Sequence, residues 1–140
     1  MKRYPSLHSH TFYHIYNRGV SKQKIFLIEA DYRYFMYKLA IFKHKYYIKM
    51  IKFCVMPNHF HLLIYTQEKP KNISLFMKGL QYTCAFRFNK KYKHSGHVFE
   101  SCYKIKSIPA EDLPKIINYI EQNPVRKGLV MRAEDWPYKG

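Results

Sequence analysis

An α+β fold is predicted for this 140-residue chain, on three observations. Four short stretches are rich in strand-forming residues, and two of them alternate apolar with polar positions. Two longer stretches between them carry apolar residues at helical spacing. These run in the order β-α-β-β-α-β, and a third helical stretch follows. That order is the ferredoxin-like (RRM-like) arrangement, an antiparallel sheet with two helices on one face. The other face is left for function or for the additional C-terminal helix.

Each element has its own signature. Residues 1–10 are polar and read as loosely held. Thr11–Phe12–Tyr13–His14–Ile15–Tyr16 alternates as a strand, stopped by Asn17–Arg18–Gly19, where glycine can supply a positive φ. Asp31 is placed to cap a helix reaching His44, with Tyr32, Phe35, Met36, Leu39 and Phe42 on one side. Tyr46 to Val55 reads as the second strand, and Met56–Pro57–Asn58 as a tight turn into a third that ends near Thr66. Asn72 opens a second helix whose stripe is Ile73, Phe76, Met77, Leu80, Cys84 and Phe88. Leu75, Tyr82 and Phe86 fall on its other side, either as a partner surface or as scattered exposed apolars. Cys102 to Ile108 is the fourth strand. The last helix spans Asp112 to Gln122, with Pro124 marking its end.

The composition bounds what such a domain does. A chain of 140 residues is a common single-domain length, and no repeat or linker divides it, so residues 1–140 are read as one domain. Apolar residues at 47% and aromatics at 18% exclude a disordered chain. No apolar run approaches the 18 or so residues of a membrane span. Met1–Lys2–Arg3–Tyr4–Pro5 lacks the apolar core of a secretory signal. Cys54, Cys84 and Cys102 are odd in number, widely spaced and set in apolar surroundings, which suits buried free thiols in a reducing compartment and a cytoplasmic protein. Lys and Arg total 25 against nine Asp and Glu, a net charge of +16. So basic a balance repels itself in the folded state and points to a polyanionic partner. Interleaved with 14 Tyr and 10 Phe, the charges favour unpaired nucleic acid, held by phosphate contacts and aromatic stacking. No basic amphipathic helix argues for a membrane.

Chemistry concentrates in two places. If residues 59–65 form a strand, His59 and His61 share a face and Phe60 points the other way. Two imidazoles on one face are half of a metal site, although a strand histidine is more often a packing residue. On the last helix, Tyr119 and Asn123 lie four apart and stack on one side beside the stripe of Leu113, Ile116, Ile117 and Ile120. They read either as a functional phenol–amide pair or as a core-edge tyrosine and a C-terminal cap. Together the two halves suit phosphodiester cleavage. His59, His61 and the Asn123 carbonyl can hold a divalent ion against a phosphoryl oxygen while the Tyr119 hydroxyl attacks. Hard oxygen donors and no nearby cysteine favour Mg²⁺ or Mn²⁺. Arg18, Lys104, Lys106, Arg126 and Lys127 are candidate DNA contacts; Lys104 and Lys106 suit a solvated strand face equally well.

His59–Phe60–His61 resembles the HUH motif of single-strand DNA endonucleases. Residues 56–63 (MPNHFHLL) together with residues 119–130 (YIEQNPVRKGLV) resemble the IS200-like transposases, with REP-associated tyrosine transposases as the nearest branch. Residues 13–19 (YHIYNRG) and the stretch from Ser95–Gly96–His97–Val98–Phe99 to Tyr103–Lys104 fit the same branch. The resemblance runs from about Phe12 to Tyr138. It implies a small, usually dimeric domain that recognises hairpin-forming single-stranded DNA with Mg²⁺ or Mn²⁺. It makes His59 and His61 ligands and Tyr119 a nucleophile that leaves a 5′-phosphotyrosine and a free 3′-hydroxyl. Insertion-sequence members often carry Gln at the third ligand position. Here it is Asn123, with Gln122 or a water as the alternative on its shorter arm. Two rival readings are a non-catalytic RRM-like regulator and a metal-dependent nuclease without a covalent intermediate. Binding alone does not require Tyr119 paired with Asn123 opposite two histidines, and the nuclease would release products without a covalent adduct.

Overall fold

The computed structural model describes residues 6–140. Residues 1–5, and with them the reading of Met1–Pro5, lie outside the described residues. Strands β1 (Phe12–Arg18), β2 (Lys49–Met56), β3 (His59–Tyr65) and β4 (Lys104–Ile108) form one antiparallel sheet in the order β2-β3-β1-β4. Helices α1 (Glu29–Lys45) and α2 (Asn72–Tyr92) occupy the two crossovers, and α3 (Leu113–Glu121) and α4 (Asn123–Arg126) follow β4. This is the α+β order expected from the periodicities. No helix among the described residues is long and apolar enough to cross a membrane.

The period of two sorts the sheet into faces. Tyr13, Ile15, Phe60, Leu62 and Val55 are buried beneath α1 and α2, against Phe35, Leu39, Phe76, Met77 and Leu80. Phe60 packs on Phe35 with ring centroids 5.1 Å apart. The opposite face carries His14, Tyr16 and Arg18 from β1, paired in register with Leu63, His61 and His59 of β3, while on the other side His14 and Tyr16 pair with Lys106 and Lys104 of β4. α3 approaches this face over β2, where Lys52 pairs with Glu121 at 3.4 Å.

Several local readings are corrected. Residues 8–10 are tied down: His10 N–H donates to Thr66 O at 2.9 Å and Thr66 Oγ1 to His8 O at 2.6 Å. Of the three cysteines expected to be buried, Cys102 is exposed, in the loop before β4. Gly19 sits at φ −66, so no positive φ requires it. A Cβ there would lie 2.2 Å from Gln23 O, and close backbone approach is the reason for glycine. α1 starts two residues before Asp31, whose carboxylate instead reaches back to the Leu27 and Ile28 N–H groups. β2 starts at Lys49, because Tyr47 adopts a left-handed conformation after α1, and the strand irregularity at Met50–Lys52 shifts its register. Pro124 does not end the helical path. Its missing N–H breaks it at Gln122, and α4 resumes at Asn123 with Lys127 N–H donating to Asn123 O at 3.0 Å. Tyr119 and Asn123 therefore belong to two abutting helices.

At the far edge, β2 is covered by the chain's own last residues. Phe53 N–H donates to Gly140 O at 2.8 Å, Val55 N–H to Tyr138 O at 2.9 Å, and the Trp136 indole to Val55 O at 3.0 Å. Tyr138 stacks on Tyr32 of α1 at 3.9 Å. A strand edge that would otherwise expose unpaired backbone is thereby satisfied.

Candidate active site

The Met56–Asn58 turn brings His59 to the end of β3, and the strand's alternation sends His59 and His61 to the face beneath α3 and α4. Their rings meet edge to face at 5.1 Å. α3 lowers Tyr119 onto the same spot, its ring edge-on to His61 at 5.7 Å. Ile120, fully buried next door, anchors that turn, while Tyr119 itself stays 44% exposed. Asn123, 2% exposed, directs Oδ1 to within 3.0 Å of His59 Nε2. The four residues that sequence reasoning selected are thus brought together.

Hydrogen bonding says how each group is held. His59 Nδ1 lies 2.7 Å from Asn58 Oδ1, so both ring nitrogens face amide oxygens. Burial pushes the His59 ring below its ordinary pKa; the bond to Asn123 opposes this, and Lys127 and Arg18 reinforce it. A neutral ring has one proton for two acceptors. With Nδ1–H donated to Asn58, Nε2 and Asn123 Oδ1 are left as two lone pairs 3.0 Å apart. Neighbouring ligands of an octahedral ion at about 2.1 Å are spaced by about 3 Å, so this pair fits a shared Mg²⁺ or Mn²⁺. His61 is also held neutral, by burial first and then by His14, His59, Arg126 and Lys127. Its Nδ1 lies 2.9 Å from Nε2 of His14, itself buried and lowered to about 4 by burial and by Lys106. Among the described residues no three His, Cys, Asp or Glu side chains group to hold an ion by themselves. A centre here needs the Asn123 carbonyl and further oxygens from outside the chain.

Around these groups lies an open cleft of about 620 Å³, lined by His59, His61, Tyr119, Asn123, Asn58 and Tyr16. Its cationic wall is Arg18, Lys22, Lys24, Lys104 and Lys127. Of the candidate DNA contacts, Arg18, Lys104 and Lys127 line the cleft. Arg126 does not: its guanidinium lies 4.2 Å over the Tyr119 ring and donates to the Tyr119 carbonyl at 2.8 Å. Lys106 sits one register step away, opposite His14. Gln122, the alternative third ligand, is not among the lining residues, whereas Asn123 is.

Four participants escaped the sequence reading or were left open by it. Asn58 was read only as a turn residue, and it holds His59. His14 lies across the sheet from His61, a contact that needs strand register to see. Tyr16 lies in the cleft beneath Lys104, whose ammonium is 6.0 Å from its ring. Glu100 is ion-paired to Arg18 and, at 3.6 Å, to Lys104, which depresses its carboxyl. An isolated acid in a chain of +16 was the available signal for it.

Comparison with known proteins bears on the family and the fold. The family model for IS200-like transposases matches residues 8–123. A curated Haemophilus influenzae protein bearing the name REP-associated tyrosine transposase is 31% identical over 104 residues, 66% of this chain. The chain spans 58% of that relative's length. Among solved structures, a REP-associated tyrosine transposase bound to a REP hairpin superposes with a TM-score of 0.81 at 17% identity, over 99% of this chain and 82% of that one. A Deinococcus radiodurans protein described as a transposase gives 0.57 at 20% identity, over 87% and 97%. At such identities the structures speak for the shared fold, and the family model for the membership. The chain belongs to the IS200-like transposase family.

Proposed function

We propose that this protein cleaves and rejoins single-stranded, hairpin-bearing DNA through a covalent Tyr119 intermediate, with Mg²⁺ or Mn²⁺ held by His59, His61 and Asn123. The observation that carries the reading is the convergence of those four side chains in one cleft walled by five cations. The neighbour bound to a REP hairpin supports a hairpin substrate. The family resemblance adds a homodimer as the working state.

The chain's own groups divide the task. Arg18, Lys104 and Lys127 receive backbone phosphates and bring the strand to the cleft floor. Tyr16, with its ring at the wall, is placed to stack an unpaired base. His59, His61 and Asn123 would hold the divalent ion, which when bound would supply Lewis-acid polarisation of the scissile phosphate. Tyr119 Oη bonds to phosphorus as the bond to the 3′-oxygen breaks. The phenolic proton leaves to solvent and the departing oxygen is protonated as a free 3′-hydroxyl. Attack by a 3′-hydroxyl on the phosphotyrosine reverses the step and rejoins strands. Arg126, stacked on the ring, fixes the direction of the phenol and adds positive charge beside the developing phenolate–phosphate bond.

The test is a cleavage assay on labelled hairpin DNA with single-stranded flanks. Wild-type protein is expected to cut in Mn²⁺ and not in EDTA. Tyr119→Phe is expected to bind the hairpin and leave it uncut. Cleavage by that variant would sink the nucleophile and leave a metal-dependent nuclease. Binding with no cleavage by the wild type would favour a regulator.

A further inference from the structure

We infer that His14 is a positioning residue for the metal centre: its Nε2 accepts the Nδ1–H of His61 and so keeps the His61 Nε2 lone pair turned to the cleft. The inference rests on the reading of His61 as a ligand, and it concerns a residue on a different strand that touches no substrate.

The geometry is specific. His14 and His61 are each 6% exposed, and their rings lie nearly parallel with centroids 5.1 Å apart. The contact is between Nε2 of His14 and Nδ1 of His61, at 2.9 Å. One proton is shared across it, and its owner decides what His61 can do. If His14 donates, the proton of neutral His61 moves to Nε2, and the ring presents an N–H to the cleft. If His61 donates, Nε2 is a bare lone pair on a ring that lines the cleft together with His59 and Asn123. The second state alone makes a ligand. His59 is built alike: its Nδ1 lies 2.7 Å from Asn58 Oδ1, a shorter contact than the 3.0 Å from Nε2 to Asn123 Oδ1, which favours the proton on Nδ1. Each histidine therefore has its Nδ1 occupied by a neighbouring side chain, His59 by Asn58 and His61 by His14. Rear hydrogen bonds of this kind fix the tautomer and orientation of metal-bound histidines. The burial of His14 follows from the role, since a solvated partner would leave the His61 ring free to turn. β1 holds it there through antiparallel pairing with β3, His14 opposite Leu63 and Tyr16 opposite His61.

Three variants test this. His14→Gln places an amide oxygen near the original Nε2, His14→Asn falls short of it, and His14→Phe fills the volume without an acceptor. Two readouts apply to the purified full chain: the His61 tautomer from two-bond ¹H–¹⁵N correlation spectra without metal, and Mn²⁺ affinity by EPR titration. The wild type is expected to show the Nδ1–H tautomer at His61. Asn and Phe are expected to lose it and to bind Mn²⁺ about 10–100-fold more weakly. Gln is expected to restore most of both. Hairpin binding in EDTA is expected to be unchanged throughout, which a general loss of fold would not permit. Wild-type Mn²⁺ affinity and tautomer in both Asn and Phe would overturn the role of His14 alone. Failure of the wild type to bind Mn²⁺, or equal binding by His61→Ala, would overturn the ligand reading and this inference with it.

Discussion

At the scale of single residues, the site is organised by which atom faces which. His59 directs Nδ1 to Asn58 and Nε2 to Asn123, and with the neutral ring's proton on Nδ1 the second contact is between two acceptors. Asn123→Ala is therefore expected to weaken Mn²⁺ binding, and Asn123→Asp to strengthen it by adding charge at the same position; a titration with no difference among the three would remove Asn123 from the centre. Arg126 touches Tyr119 twice, through its ring and its carbonyl. A partly exposed cation–π contact is worth about 0.5–1 kcal/mol. Arg126→Ala is then expected to slow cleavage by about two- to fivefold, with hairpin affinity in EDTA nearly unchanged. A loss of affinity equal to the loss of rate would make Arg126 a phosphate contact instead. Tyr119 and the histidine pair were legible in the sequence because their spacing is set by local geometry alone. His14 and Glu100 were not, because their partners lie 47 and 82 residues away and only strand register and loop closure bring them together.

At the scale of elements, α1 and α2 are joined by one buried carboxylate. Asp31, 3% exposed, accepts from Arg87 at 2.7 Å, Lys91 at 3.0 Å and Tyr92 at 2.5 Å, and from the Leu27 N–H at 2.9 Å. Burial alone would raise its pKa, but the bonds from Tyr92, Arg87, Leu27 and Lys91 outweigh that and hold it well below the usual carboxylate range. The folded state thus binds the Asp31 proton more weakly than the unfolded chain does. The stability this contributes is complete above the unfolded value of 3.8 and is lost as pH falls below it. Asp31→Ala is expected to destabilise the domain by about 1–3 kcal/mol, since it leaves the Leu27 N–H, the Tyr92 hydroxyl and the partly exposed Arg87 without their shared acceptor. It should also flatten the acid limb of stability against pH; a melting temperature within a degree or two of wild type would contradict this. Gly19→Ala, which drives a methyl into Gln23 O, is expected to cost about 1–3 kcal/mol. Helix and strand order was readable from periodicity, whereas Asp31 was taken for a cap because its partners on α2 are remote in sequence. The break at Gln122 was half visible: Pro124 announces it, but not that the chain resumes as α4 at Asn123.

At the scale of the whole molecule, charge and fold act together. The sheet buries one face beneath two helices and leaves the other for the site, so the excess of Lys and Arg has an open cleft to serve. Five cations line that cleft. Each that meets a phosphate of single-stranded DNA adds about 0.7 to the slope of log affinity against log salt. Lys127→Ala is expected to lower that slope by about this amount, and Lys106→Ala, outside the cleft, to leave it unchanged. An equal effect of both would mean a diffuse electrostatic attraction in place of a defined strand path. Composition alone pointed to a nucleic-acid partner, but which cations meet at one place is a property of the fold. The central claim is that Tyr119 carries the DNA. Its most direct measurement is to incubate the protein with 5′-extended hairpin DNA and Mn²⁺, denature, digest, and sequence the nucleotide-bearing peptide by mass spectrometry. The account predicts a 5′-phosphate joined to Tyr119, absent from Tyr119→Phe. An adduct on another residue, or cut DNA with no adduct, would contradict it.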